Sequence, residues 1–122
     1  IDHCEDMPAA YMLADIVVSA STEPEAFGRV TAEAQSLGRL VIAADHGGAR
    51  ETVIDGKTGW LTPPGDARAL ATTINKVLAQ SEENRRKFSD QAIQHIREKY
   101  SKANMCEKTL QVYNAILDSE TL

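Results

Sequence analysis

The 122-residue sequence is short of several things, and each shortage removes a class of protein. It has only two cysteines, Cys4 and Cys106, with no CxxC spacing. That is too few for a disulfide scaffold and reads as two free thiols of a reducing cytoplasm. Basic residues are scarce, 13 against 18 acidic ones, for a net charge of −5. A sequence-independent grip on nucleic acid needs the opposite balance, so no nucleic-acid partner is expected. The densest basic run, Arg85-Arg86-Lys87, reads as a solvated helix face. No apolar run approaches the ~20 residues of a membrane span, and no secretory leader is visible. His3 and His95 have no ligand spacing to each other or to the cysteines, so no metal site is expected. Repeats, low-complexity tracts and linkers are missing too, which leaves one domain over residues 1–122.

What is present is the composition of an ordinary globular protein, 43% hydrophobic and 25% charged. Asp6, Met7 and Pro8 start a short helix ending near Ala14, with proline in the first turn. Residues 15–20 are apolar almost throughout, as in a strand covered on both faces. A polar loop over 21–28 leads to a helix from Arg29 to Leu37, ended by Gly38, with Val30, Ala34 and Leu37 as its apolar stripe. Residues 39–44 form a second strand, followed by the loop 45–50 and a helical turn near 50–54. Asp55-Gly56-Lys57-Thr58-Gly59 is a tight turn before a third strand, 60–62, with Trp60 as its core anchor. Asp66 caps a helix with Leu70, Ile74, Val77 and Leu78 on one face. Ser81 caps a helix over 82–99, and Ser101 caps the last, 102–118, with Tyr113, Ile116 and Leu117 apolar.

This is an α/β chain with a partial, doubly wound, Rossmann-like parallel sheet of about three strands and C-terminal helices. Doubly wound domains usually have five or six strands. The first strand is therefore expected to leave an unpaired edge that invites self-association.

Glu25 and Glu33 stand eight residues apart across the loop-to-helix junction that follows the first strand. The C-terminal ends of parallel strands are where open α/β sheets bind ligands, and a helix N-terminus there suits phosphate. A carboxylate accepts from vicinal hydroxyls. Glu33 lies beside the apolar stripe of its helix, and its side chain leans toward the N-terminus and the loop of Glu25. Acids for hydroxyls beside bare amides for phosphate is the equipment of a nucleotide-sugar site.

Several motifs in order add to this. Glu25-x-Phe27-Gly28 with Glu33-Ala34, Gly38 before Leu40-Val41-Ile42-Ala43, Asp45-x-Gly47-Gly48-x-x-Glu51, Asp55-Gly56-x-x-Gly59-Trp60-Leu61-x-Pro63 and Tyr100-Ser101 cover nearly the whole chain. Ser21 through Asp66 resembles the nucleotide-binding domain of GT-B glycosyltransferases, specifically glycosyltransferase family 4 (glycosyl transferases group 1). The resemblance implies the second half of a GT-B C-terminal domain. It implies that Glu25 is catalytic, contacting donor-sugar hydroxyls near the reacting carbon. Phe27 and Gly28 would present amides to the diphosphate, with Arg29 as a nearby cation. Glu33 would accept from the ribose, and Gly47 and Gly48 would join the donor site. It further implies a retaining, metal-independent transfer from a UDP- or GDP-sugar to a saccharide or lipid-linked acceptor, with no cofactor required. Such a parent is expected in the cytoplasm and peripheral to the membrane.

The residues also admit blander readings. Gly47-Gly48 reads equally as a plain turn, Arg29 as half of a surface ion pair, and His46 as a solvated loop histidine. Ala20 and Leu40 stand where the family usually has proline. The family's phosphate-neutralising Arg and Lys, its first half-sheet and its acceptor domain have no counterpart in these residues. The chain by itself is expected to be inactive. Two alternatives remain: a 2-epimerase of the same architecture, which would want further acid–base residues near Glu25, and a non-catalytic α/β ligand-binding domain.

Overall fold

Leu40–Ala44 is buried along its whole length and forms the middle strand of a parallel sheet. The structure is a computed structural model that describes residues 3–119. Its strands are β1 (Ile16–Ser19), β2 (Leu40–Ala44) and β3 (Trp60–Thr62), in the order β1-β2-β3. Val18 pairs with Ile42, and Ile42 with Trp60. The helices are α1 (Met7–Leu13), α2 (Arg29–Ser36), α3 (Ala49–Thr52), α4 (Ala67–Leu78), α5 (Glu82–Lys99) and α6 (Lys102–Ser119).

Alternation along the strands sends side chains to two cores. On one face Val41 and Ala43, with Val17 and Leu61, meet Tyr11 of α1, Ala34 of α2 and Val53. On the other, Leu40, Ile42 and Trp60 meet Val77, Leu70 and Ile74 of α4 and Phe88 of α5. Trp60 and Phe88 stack with ring centroids 4.3 Å apart. Helix α5 also packs against α2.

The expected caps are all present. Asp6, Asp66, Ser81 and Ser101 accept from the amides of Ala9, Ala69, Asn84 and Asn104. Past the end of α2, Gly38 has φ 69°, its amide bonds Gln35 O, and that of Arg39 bonds Ala34 O. These are the two bonds of a Schellman motif.

Three expectations shift. Strand β1 is half-covered, with Val18 39% exposed, because no strand flanks its outer side among the described residues. Leu78 is 49% exposed; it follows Val77 by one residue, about 100° around the helix from the buried line. Helix α2 buries a wider face than its apolar stripe, since Thr31 and Gln35 are also buried, against Thr52 of α3. Among the described residues of α6 nothing is buried, and Tyr113 and Ile116 are exposed.

Candidate functional site

Parallel strands put the loops after β1 and β2 at one edge of the sheet, and the two loops are joined there. The amide of Gly48 donates to Glu25 O at 2.8 Å. A Cβ at Gly48 would overlap the backbone of Phe27, and one at Gly47 would overlap Glu25. The glycine pair thus lets one backbone lie directly on the other. His46 bonds Ser21 O through Nε2 at 2.7 Å, and Ser21 Oγ donates to Glu25 Oε1 at 2.8 Å. A carbonyl partner makes Nε2 the protonated nitrogen of His46.

Beneath this joint runs a buried polar network. Thr31 Oγ1 donates to Gly28 O at 2.6 Å and lies 2.8 Å from Thr52 Oγ1, which is 3.0 Å from Gly48 O. Gln35 Nε2 reaches the carbonyls of Thr31 and Thr52 at 3.2 and 3.0 Å. Two carbonyl partners fix which end of the amide is nitrogen. Gln35 Oε1 is left buried without a partner. Tyr100 closes the back of the site: its hydroxyl donates to Glu51 O at 2.6 Å, and its ring meets Phe27 and His95 edge-on. Burial raises the Tyr100 hydroxyl above its ordinary pKa, helped by the charge of Glu51. Burial lowers His95, reinforced by Lys99.

Helix α2 starts at this joint. Its N-cap is Gly28, at φ 75°, ψ 55°; no side chain caps it, and no acid lies in its first turn. On one side of that helix end, Glu25 lines a hollow of about 10 Å³ with Ser19, Ser21, Gly28, Thr31 and His46. That is space for a single water. On the other side, Glu33 lines a hollow of about 440 Å³ with Tyr11 and Arg29. Glu33 Oε2 accepts from Tyr11 Oη at 3.1 Å and Oε1 from Arg29 Nη2 at 3.0 Å. The Glu33 side chain does reach back toward the helix start, but the two carboxylates line separate hollows, that of Glu25 bordered by Gly28 and that of Glu33 by Arg29.

Arg29 and Arg50 are both in ion pairs, Arg29 with Glu33 and Arg50 with Asp45 at 2.8 Å. Among the described residues no three His, Cys, Asp or Glu side chains form a metal-holding group. No helix there is long and apolar enough to cross a membrane.

Residues 2–95 match the family Glycosyl transferases group 1. The chain belongs to this glycosyltransferase family. Its structure is similar to that of a glycosyltransferase from Rickettsia africae, with a TM-score of 0.89 and 36% identity over 94% of this chain and 31% of that one. It is similar to Anabaena Alr3699/HepE, solved in complex with UDP-glucose, with a TM-score of 0.83 and 30% identity over 92% of this chain and 30% of that one. A lipopolysaccharide 1,2-N-acetylglucosaminetransferase of Salmonella typhimurium is 34% identical over 105 residues, 85% of this chain and 27% of the relative. The chain spans less than a third of the length of each of these three proteins. The mixed α/β fold with its three-stranded parallel sheet is that of GT-B glycosyltransferases.

The sequence reading missed Tyr11, Gln35, Thr31 and Thr52 as parts of this site. Two threonines and a glutamine at buried helix positions were the available signal, since buried polar groups need partners from elsewhere in the fold.

Proposed function

We propose that the chain is the C-terminal, donor-binding part of a family 4 GT-B glycosyltransferase, with its acceptor domain preceding it. In this reading a hexose moves from a UDP- or GDP-sugar to a saccharide or lipid-linked acceptor with retention of configuration. The observation that carries it is the order of groups around α2: a carboxylate, an uncapped helix N-terminus, and a second carboxylate. A nucleotide sugar has the same order, with hexose hydroxyls, diphosphate and ribose hydroxyls in a row. Glu25 takes the hexose, the amides following Phe27 and Gly28 take the diphosphate, and Glu33 takes the ribose. Gly47 and Gly48 serve the donor by carrying the Glu25–Phe27 backbone. The relative solved with UDP-glucose supports a nucleotide-sugar donor.

The chemistry needs no covalent link to the protein. The bond from the anomeric carbon to the diphosphate breaks as the acceptor oxygen bonds to the same carbon. The acceptor's proton passes to a phosphate oxygen of the leaving group. Glu25 positions the sugar and stabilises the positive charge developing on it. No cofactor enters this scheme. A cytoplasmic enzyme lying on the membrane surface suits a lipid-linked acceptor.

The epimerase reading gains one observation, since the structure brings His46 into the hollow of Glu25. Its Nε2 is bonded to Ser21 O and its Nδ1 is buried, so neither nitrogen is open to a substrate proton. Glycosyl transfer is retained.

The test is Glu25→Ala in the full-length protein. Turnover is expected to fall about 10²–10³-fold, the scale for losing one electrostatic stabiliser, while nucleotide affinity is kept. Loss of affinity with unchanged turnover per bound donor would refute the role of Glu25. Release of free 2-epimerised sugar without any acceptor would favour the epimerase.

A further inference from the structure

We propose that Tyr11 is a positioning residue for Glu33: it holds one carboxylate oxygen so that the other is offered to a vicinal diol, which displaces Arg29. This rests on the reading of Glu33 as the ribose contact and adds what orients it.

The two partners of Glu33 differ in every respect that decides which one leaves. Tyr11 is 5% exposed and its ring is packed among Ala34, Val41 and Val53, so its hydroxyl has a fixed position. Arg29 is 83% exposed in its side chain and holds Oε1 through an i,i+4 pair on the helix surface. Exposed pairs of this kind contribute little, so exchanging the guanidinium for a hydroxyl costs little. Removing the Tyr11 bond instead would take a part-buried hydroxyl from its charged acceptor, which costs more. Burial raises the pKa of Tyr11, and the hydrogen bond and charge of Glu33 raise it further, against a smaller opposing effect of Arg29. Its hydroxyl therefore remains a donor throughout the neutral range.

The space lies where this exchange needs it. The hollow of about 440 Å³ is walled by Glu5, Met7 and Pro8 around the start of α1 and by Ser36 and Leu37 at the end of α2. The ring of Tyr11 enters the wall from the sheet side, and Arg29 from the solvent side. Arg29 is also the first residue of α2. Once released from Glu33 it is adjacent to the helix-end amides, where a phosphate would receive it. One exchange thereby frees an acceptor for the diol and a cation for the phosphate.

The experiment measures binding of UDP, GDP and their 2′,3′-dideoxy forms to the full-length protein, with and without Tyr11→Phe. The phenylalanine keeps the buried ring and removes only the hydroxyl. Binding of the preferred ribonucleotide is expected to weaken about tenfold, the scale of a hydrogen bond to a charged acceptor. Binding of its dideoxy form is expected to stay within about twofold, as is kcat at saturating donor. In a Glu33→Gln background the same change is expected to have no further effect on the ribonucleotide. Equal weakening of both nucleotides would mean that Tyr11 acts only through the fold, and unaltered ribonucleotide binding would mean that it does not act at all; either result overturns the proposal. If the unsubstituted protein binds neither UDP nor GDP, or if Glu33→Gln alone changes nothing, the ribose assignment falls first and takes this proposal with it.

Discussion

The amide of Gly48 donates to the carbonyl oxygen of Glu25, a residue 23 positions away in sequence, with 2.8 Å between the two atoms. The loop after β2 is thus part of the support for the carboxylate after β1. Substitutions in the second loop, or in the network beneath it, act on Glu25 without touching a ligand.

Gly48→Ala tests this support. Gly48 has φ −63°, a conformation any residue adopts, so the only obstacle is the overlap of its new Cβ with the Phe27 backbone. The loops must separate, at an expected cost of about 2 kcal/mol or more, as for other overpacked sites. Gly56→Ala is the control. Gly56 has φ 69° with open space around it, so only backbone strain arises, about 1 kcal/mol. Urea unfolding of both variants should rank Gly48→Ala as clearly the worse, and the full-length protein should lose turnover only with Gly48→Ala.

The hydroxyl pair of Thr31 and Thr52 makes a double-mutant cycle informative. Thr52→Val keeps the shape and removes the hydroxyl that meets Thr31 Oγ1 and Gly48 O. It should cost about 1–2 kcal/mol, the scale of a buried hydrogen bond lost with its partner left in place. Adding Thr31→Val should cost less than the sum of the two single changes, because the contact between the two hydroxyls can be lost only once. Strict additivity would show that the two hydroxyls act independently.

His95 makes stability depend on pH. Its lowered pKa comes first from burial, then from Lys99, with the Thr52 backbone and Glu98 opposing and Lys57 adding to the lowering. The unfolded chain takes up this proton near pH 6.5, while the folded chain resists it. The contribution is therefore complete above about pH 7 and declines as pH falls through 6.5 toward the lowered folded value. Thermal unfolding midpoints measured from pH 7.5 to 5 should drop less steeply in His95→Phe, which keeps an aromatic edge toward Tyr100. An unchanged slope would place the titration elsewhere.

The uncovered side of β1 is expected to associate. Among the described residues β1 pairs only with β2, and Val18 on it is exposed. Sedimentation of the chain should show concentration-dependent dimers or larger species, reduced by Val18→Lys, since a charge on an edge strand opposes pairing. A clean monomer at high concentration would count against it.

Element identity was legible because it rests on local physics. Asp66 next to an amphipathic run, the glycine after α2, and the all-apolar Leu40–Ala44 each announce their structure within a few residues. The family was legible for a related reason, since loop glycines and acids that serve a fixed backbone geometry keep a fixed spacing. Boundaries moved by a residue or two where tertiary cover decided them, as in β1, trimmed to Ile16–Ser19.

What the sequence determined by itself is the order of strands and helices, the caps, and the presence of two acids beyond the first strand of a parallel sheet. What only the tertiary structure decided is which partner each acid keeps. Glu25 meets Ser21 and shares its hollow with His46, while Glu33 meets Tyr11 and Arg29. Tyr11 lies 22 residues from Glu33, and Thr31 lies 21 from Thr52. Periodicity and capping operate over one or two helical turns. Contacts of that separation exist only after the sheet has stacked its crossovers side by side, so no local pattern encodes them.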